Sequence, residues 1–167
     1  MAGLADELLA AVLRYAQGRL DDLRDQALAE LRRGRKSSHW MWFIFPQLAG
    51  LGRSATSVKY AIADLGHARD YLADPVLGRR LREAATVVVD SPEPDAEAMF
   101  GGIDAPKLQS SMTLFEAADA QARVFARVLE RYYGGRRCEL TTRLLGESAS
   151  TQGDSTQGDS TSAEAGA

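Results

Sequence analysis

The sequence is poor in cysteine, histidine and lysine, and each shortage closes off a class of chemistry. Cys138 is the only cysteine among 167 residues, so no disulfide can form within the chain and a cysteine-rich zinc site is excluded. The two histidines, His39 and His67, stand far apart and no HExxH pairing occurs, so no metal is expected. No strictly apolar run, Trp40–Phe45 included, exceeds six residues, far short of the roughly 20 that span a membrane. GxxxxGK[ST] is absent, and Gly50-Leu51-Gly52 follows a proline rather than a strand. A P-loop and a dinucleotide fingerprint are therefore both missing, and no cofactor is expected. The opening stretch meets Asp6 and Glu7 before any base, unlike a signal peptide, so a cytoplasmic location is expected.

Charge of one sign is also lacking. The net charge of −3 comes from the end of the chain: four of the 23 acids lie after Arg143, leaving 19 acids against all 20 bases before it. A nearly neutral body generates no field that argues for nucleic acid. The tail from Glu147 to Ala167 holds a tandem TQGDS repeat and no apolar residue larger than alanine. It cannot bury enough surface to offset the entropy of ordering, so residues 1–146 read as one domain and 147–167 as a disordered tail.

What is present is helical periodicity. Leu8, Ala11, Val12 and Tyr15, then Leu20, Leu23, Ala27 and Leu31, keep to apolar stripes, with Gly18 a possible break and Gly34 an end. LGHARDYLA (65–73) reads as a short helix stopped by Asp74-Pro75. Pro75 then suits the first turn of a helix carrying Leu77, Leu81, Ala84 and Val88. Pro106 is expected to open a further helix with Leu108, Met112 and Phe115 on one face. From about Asp119 to Tyr133, Phe125, Val128 and Leu129 face inward and Arg123, Arg127 and Arg131 outward. The aperiodic WMWFIF (40–45) fits a buried strand or a buried helical turn. No partner strand is evident, so a short helix is favoured. The fold expected is all-α, a single-domain bundle of about six to eight helices.

Chemistry concentrates in GRKSSHWMWFIFPQ (34–47). Both tryptophans, His39 and the cluster Arg32, Arg33, Arg35 and Lys36 fall there or beside it. Cations beside aromatic rings hold flat or anionic ligands by stacking and charge together. The competing explanation is that Trp40 and Trp42 are core, and that the bases merely offset a helix dipole. Histidine is the side chain best suited to acid–base work near neutral pH, and His39 is the one catalytic candidate, with a structural histidine the alternative. Of the 20 bases only Lys36, Lys59 and Lys107 are lysine, and a position that stays lysine among arginines suits a compact point charge. A Ser-His-acid triad from Ser110 or Ser111, His39 and Glu83 has no GxSxG elbow behind it.

GRKSSHWMWFIFPQLAGLGRS (34–54), YAI (60–62), ARDYLADPVLGRRLRE (68–83) and MFGGIDAPKLQSSMTLF (99–115) resemble a bacterial family called domain of unknown function 1810. The likeness runs over roughly residues 12–145 and implies a small, mainly helical fold with no activity attached. Lys36, Ser38, His39, Trp40, Trp42 and Gln47 fall in its first block, and Lys107, Ser110, Ser111 and Thr113 in its second. Polar residues in two distant blocks suggest one shared cleft, with the serines near the Pro106 helix start able to receive an anion. Three readings remain: a small anionic, nucleotide- or phosphate-like ligand in that cleft; a protein-interaction module using segment 39–47; or weak nucleic-acid binding through 32–36. The residues leave open whether the protein is an enzyme.

Overall fold

The computed structural model describes residues 4–153, with side chains described for 18–150. Eight helices follow one another among the described residues: α1 (Leu4–Arg33), α2 (Met41–Ile44), α3 (Ala55–Lys59), α4 (Leu65–Ala73), α5 (Leu77–Asp90), α6 (Ala96–Ala118), α7 (Arg123–Tyr133) and α8 (Glu139–Gly153). No strand occurs among these residues, and one isolated parallel bridge joins Leu48 to Ile62. The fold is all-α. WMWFIF resolves as the short helix α2 between the buried Trp40 and Phe45.

The helix limits follow from local chemistry. Asp64 caps α4, its carboxylate accepting from the His67 N–H at 2.8 Å. Pro75 does not enter α5 as expected. The Asp74 carboxylate takes the N–H groups of Val76 and Leu77, at 2.9 and 2.8 Å, and so sets the helix start two residues beyond the proline. The Pro106 expectation needs a larger correction. Asp95 caps α6 eleven residues earlier, and the chain breaks inside that helix at Gly101, whose φ is 82°. Pro106 therefore lies a turn beyond an existing start. Gly18 does not interrupt α1, since one exposed glycine costs a helix only about 1 kcal/mol relative to alanine. The periodicity also passed over α3 and α8. The latter runs beyond Glu147 to Gly153, and the remainder of the expected tail lies outside the described residues.

α6 is the central element, with α4, α7 and α8 packed against it and α5 joined to α4, α7 and α1. Met99, Phe100, Leu108, Met112, Leu114 and Phe115 of α6 are buried. Leu81, Val88, Phe125 and Leu129, expected in the core, are each no more than 1% exposed. On α1 the stripe is confirmed from Leu23 to Leu31, whereas Leu20 is 43% exposed.

Candidate functional site

The site begins at the end of α1. Gly34 adopts a left-handed φ of 79°, its N–H bonding to the Leu31 carbonyl (3.0 Å) while Arg35 N–H reaches the Glu30 carbonyl (3.1 Å). This paired cap turns the chain back along its own helix. The turn brings the next residues onto the Glu30 side chain, which is 1% exposed. Its carboxylate accepts from Ser37 N–H at 3.2 Å, from the Ser37 hydroxyl at 2.8 Å, and from the Ser38 hydroxyl and the Trp40 indole N–H. Burial pushes the Glu30 pKa up, but these donors outweigh it and hold it at about 2.

The same turn delivers Lys36. Its backbone N–H bonds to the Met99 carbonyl at 2.7 Å, stitching the segment to α6. Its ammonium reaches the Ser38 carbonyl at 2.6 Å and the Asp104 carboxylate at 2.8 Å, and lies 5.0 Å from the Trp40 ring centre. Trp40 itself is fully buried, packed against Phe45 and Phe100 at centroid distances of 6.3 and 6.2 Å. Trp42, two residues on, remains half-buried. The loop before α3 closes over its ring, so a methyl group added at Gly52 would meet it at 2.9 Å.

The second wall comes from α6. Just past the Gly101 break the helix starts anew, and Asp104 lies in that first turn, where a carboxylate suits the dipole. Lys107, three residues on, bonds to Asp104 at 3.0 Å and lies 5.4 Å from the centre of the Trp42 ring. Asp104 thus bridges the two lysines. Burial raises its pKa, but the hydrogen bonds from Lys36 and Lys107 and their charge outweigh this and hold it below the ordinary value. Between the walls lies an open cleft of about 330 Å³ whose lining includes Lys36, His39, Trp42, Ser54, Asp104 and Lys107.

Five of the nine expected site residues meet at this cleft: Lys36, His39, Trp40, Trp42 and Lys107. Four do not. Ser38 is turned to Glu30. Gln47 is buried away from the cleft wall, its carbonyl accepting from Ile62 N–H at 2.8 Å. Ser110 and Ser111 are buried beyond the first turn of the helix, where N–H groups are already bonded, so they cannot present a helix start to an anion. The Ser110 hydroxyl pairs with Thr141 of α8 at 2.7 Å, and Ser111 donates to the Pro46 carbonyl at 2.8 Å. Thr113 likewise fixes Cys138 N–H at 2.9 Å. These are packing contacts.

Sequence reasoning missed Glu30 and Asp104. Asp104 had a visible signal: an acid three residues before a scarce lysine and two residues after Gly101-Gly102. Glu30 had none, because it sits among the charges of a solvated-looking helix end. His39 is exposed and makes no hydrogen bond that would orient it as a base. Among the described residues, no three His, Cys, Asp or Glu side chains gather closely enough to hold a metal, and no helix is long and apolar enough to cross a membrane.

Comparison with known proteins covers nearly all of this architecture. The family model described as protein of unknown function (DUF1810) matches residues 10–145. Among solved structures the chain is similar to the conserved hypothetical protein Rv1873 from Mycobacterium tuberculosis, at 41% identity and a TM-score of 0.72. That match covers 77% of this chain and 95% of the other. No curated protein matches.

Proposed function

The chain belongs to the DUF1810 family, a family of unknown function, and from that premise we propose that its cleft binds a small phosphate-bearing, nucleotide-like anion. One observation carries the reading: Lys36 and Lys107, from segments far apart in sequence, converge on a single carboxylate at the wall of an open cleft. Two ammonium groups against one carboxylate leave a positive charge uncompensated, which is the local condition for attracting an anion. The hydroxyl-bearing Ser54 and Thr56 line the same space, and the half-buried Trp42 ring offers a flat group something to lie against. The volume is at the small end of the roughly 300–1,000 Å³ usual for small-molecule sites.

Support for the other two readings is thinner. Segment 39–47 buries Trp40, Met41 and Phe45, and its partly exposed Trp42 ring lines the concave cleft and not a flat face. In the basic cluster 32–36, Lys36 is committed to Asp104, so only three arginines remain for nucleic acid.

The test is a thermal-shift titration with inorganic phosphate, pyrophosphate and AMP. A ligand at about 100 times its Kd stabilises the fold by about 2.7 kcal/mol, which raises the Tm measurably. Lys107→Ala should abolish the shift and leave the unliganded Tm almost unchanged. No shift with any of the three compounds, or an equal shift in the variant, overturns the proposal.

A further inference from the structure

The cleft changes polarity from its inner wall to its rim. Innermost, the Lys36 side chain is 8% exposed, its ammonium engaged by the Ser38 carbonyl, by Asp104 and by the face of Trp40. Lys107 stands further out, 29% exposed, bonded to Asp104 with the Trp42 ring beside it. An ammonium has three N–H donors, so Lys107 keeps donors to offer. One helical turn away on each side the surface becomes apolar. Ile103 lies four residues before Lys107 on α6. Val58 lies four residues after Ser54, whose carbonyl accepts the Val58 N–H at 3.0 Å. Residues four apart share a helix face, so each of these side chains borders a residue that lines the cleft. They are also the two most exposed large apolar side chains among the described residues, at 79% and 67%.

The lysines lie inside, so an anion enters with its charged group inward. Whatever that group carries must then rest at the rim, against the Trp42 ring and beside Ile103 and Val58. A hydroxylated tail gains little there, because its polar groups exchange water for apolar neighbours. An alkyl or aryl tail gains, because its own surface and that of the rim leave water together. We propose that the ligand is an amphiphilic phosphomonoester, its phosphate held at Lys107 and its apolar group laid over Ile103 and Val58. This rests on the anion-binding reading above and adds to it the class of group attached to the phosphate and the residues that select it.

Butyl phosphate and glycerol phosphate make the comparison direct. The two are similar in size, and at about pH 7.5 both are mostly dianionic, since the second pKa of a phosphomonoester is about 6. Charge is matched and only the tail differs. Each methylene removed from water is worth about fourfold in affinity. Burial of two tail carbons should therefore make butyl phosphate bind the wild-type protein at least about tenfold tighter than glycerol phosphate in calorimetric titration. The double variant Ile103→Ser, Val58→Ser alters exposed positions and should keep the unliganded Tm. It should bind glycerol phosphate as before and shrink the preference to about threefold or less. Lys107→Ala should abolish binding of both esters. Equal affinities in the wild type overturn the proposal and leave the anion site standing. A preference that survives in the double variant refutes the role of Ile103 and Val58. Butyl phosphate that still binds Lys107→Ala is held outside the cleft, which also overturns it. If the wild type binds neither ester nor inorganic phosphate, the anion site fails and the amphiphile with it. Should the double variant not fold, Ile103→Ser alone decides, and an undiminished preference there refutes the assignment.

Discussion

Replacing Glu30 by glutamine should destabilise the protein at neutral pH and leave it nearly unaffected in acid. The carboxylate is buried and accepts from two serines and an indole N–H, and its pKa falls from an ordinary 4.5 to about 2. A shift of that size corresponds to about 3 kcal/mol of stability at pH 7. The sign follows from the lowered value. The contribution is complete above the unfolded pKa of about 4.5, declines as pH falls below it, and is mostly gone near pH 2. Glutamine retains the shape and one acceptor oxygen, but turns an amide N–H₂ toward donors and loses the strengthening that charge gives each bond. Urea denaturation at pH 7 should then place Glu30→Gln about 2–3 kcal/mol below wild type, with an unchanged m-value. The gap should narrow steadily below pH 4.5. A gap that is absent at pH 7, or constant down to pH 2.5, would falsify the assignment of Glu30 as an ionised hub.

Other substitutions probe separate parts of the fold. Leu81→Ala and Phe125→Ala remove fully buried side chains and should each cost about 2–5 kcal/mol by chemical denaturation; a near-neutral effect at both would contradict the packing described. Ser111→Ala leaves the Pro46 carbonyl without its donor and should cost about 1–2 kcal/mol while leaving the AMP thermal shift intact; loss of that shift would return Ser111 to the site. Gly34→Ala forces a Cβ into a left-handed residue and to 3.0 Å from the Glu93 Cβ, so a loss of at least about 1 kcal/mol in stability is expected, and an unchanged Tm would rule out the cap as described.

Much of the fold was legible because helices announce themselves by period. The phase of α7 could be read residue by residue, and the end of α4 from an Asp-Pro stop. Where the reading failed, tertiary context replaced local signals. α8 carries few large apolar residues and earns its place through Thr141, whose hydroxyl meets Ser110 across the core. The α6 start was misplaced because proline marks a helix beginning only loosely, while the aspartate at 95 and the glycine at 101 do the capping and the breaking. At the site, scarcity was the useful clue: two of three lysines proved to share one carboxylate. The serines misled for the opposite reason. A small hydroxyl residue reads identically whether it faces a ligand or a neighbouring helix, and only the partner's position tells them apart.

Several ties between the first third of the chain and the later helices close very large loops. Arg24 to Glu83 and Arg80 to Asp21 each span 59 residues, and Ser111 to Pro46 spans 65. Closure of such loops carries an entropic cost that helix formation and the neighbouring pairings of α4 to α7 do not. Order of assembly follows from this. The later helices can associate through contacts between near neighbours, and the segment from Glu30 to Phe45 docks on them afterwards. The cleft lies on that seam, one wall from each side, so it exists only when docking is complete. Native-state hydrogen exchange should find the Lys36 amide, bonded across the seam to Met99, opening at lower free energy than the amides in the interior of α6. An anion seated between Lys107 and Trp42 would then act as a clasp, raising the cost of that opening and leaving the helices behind it unchanged.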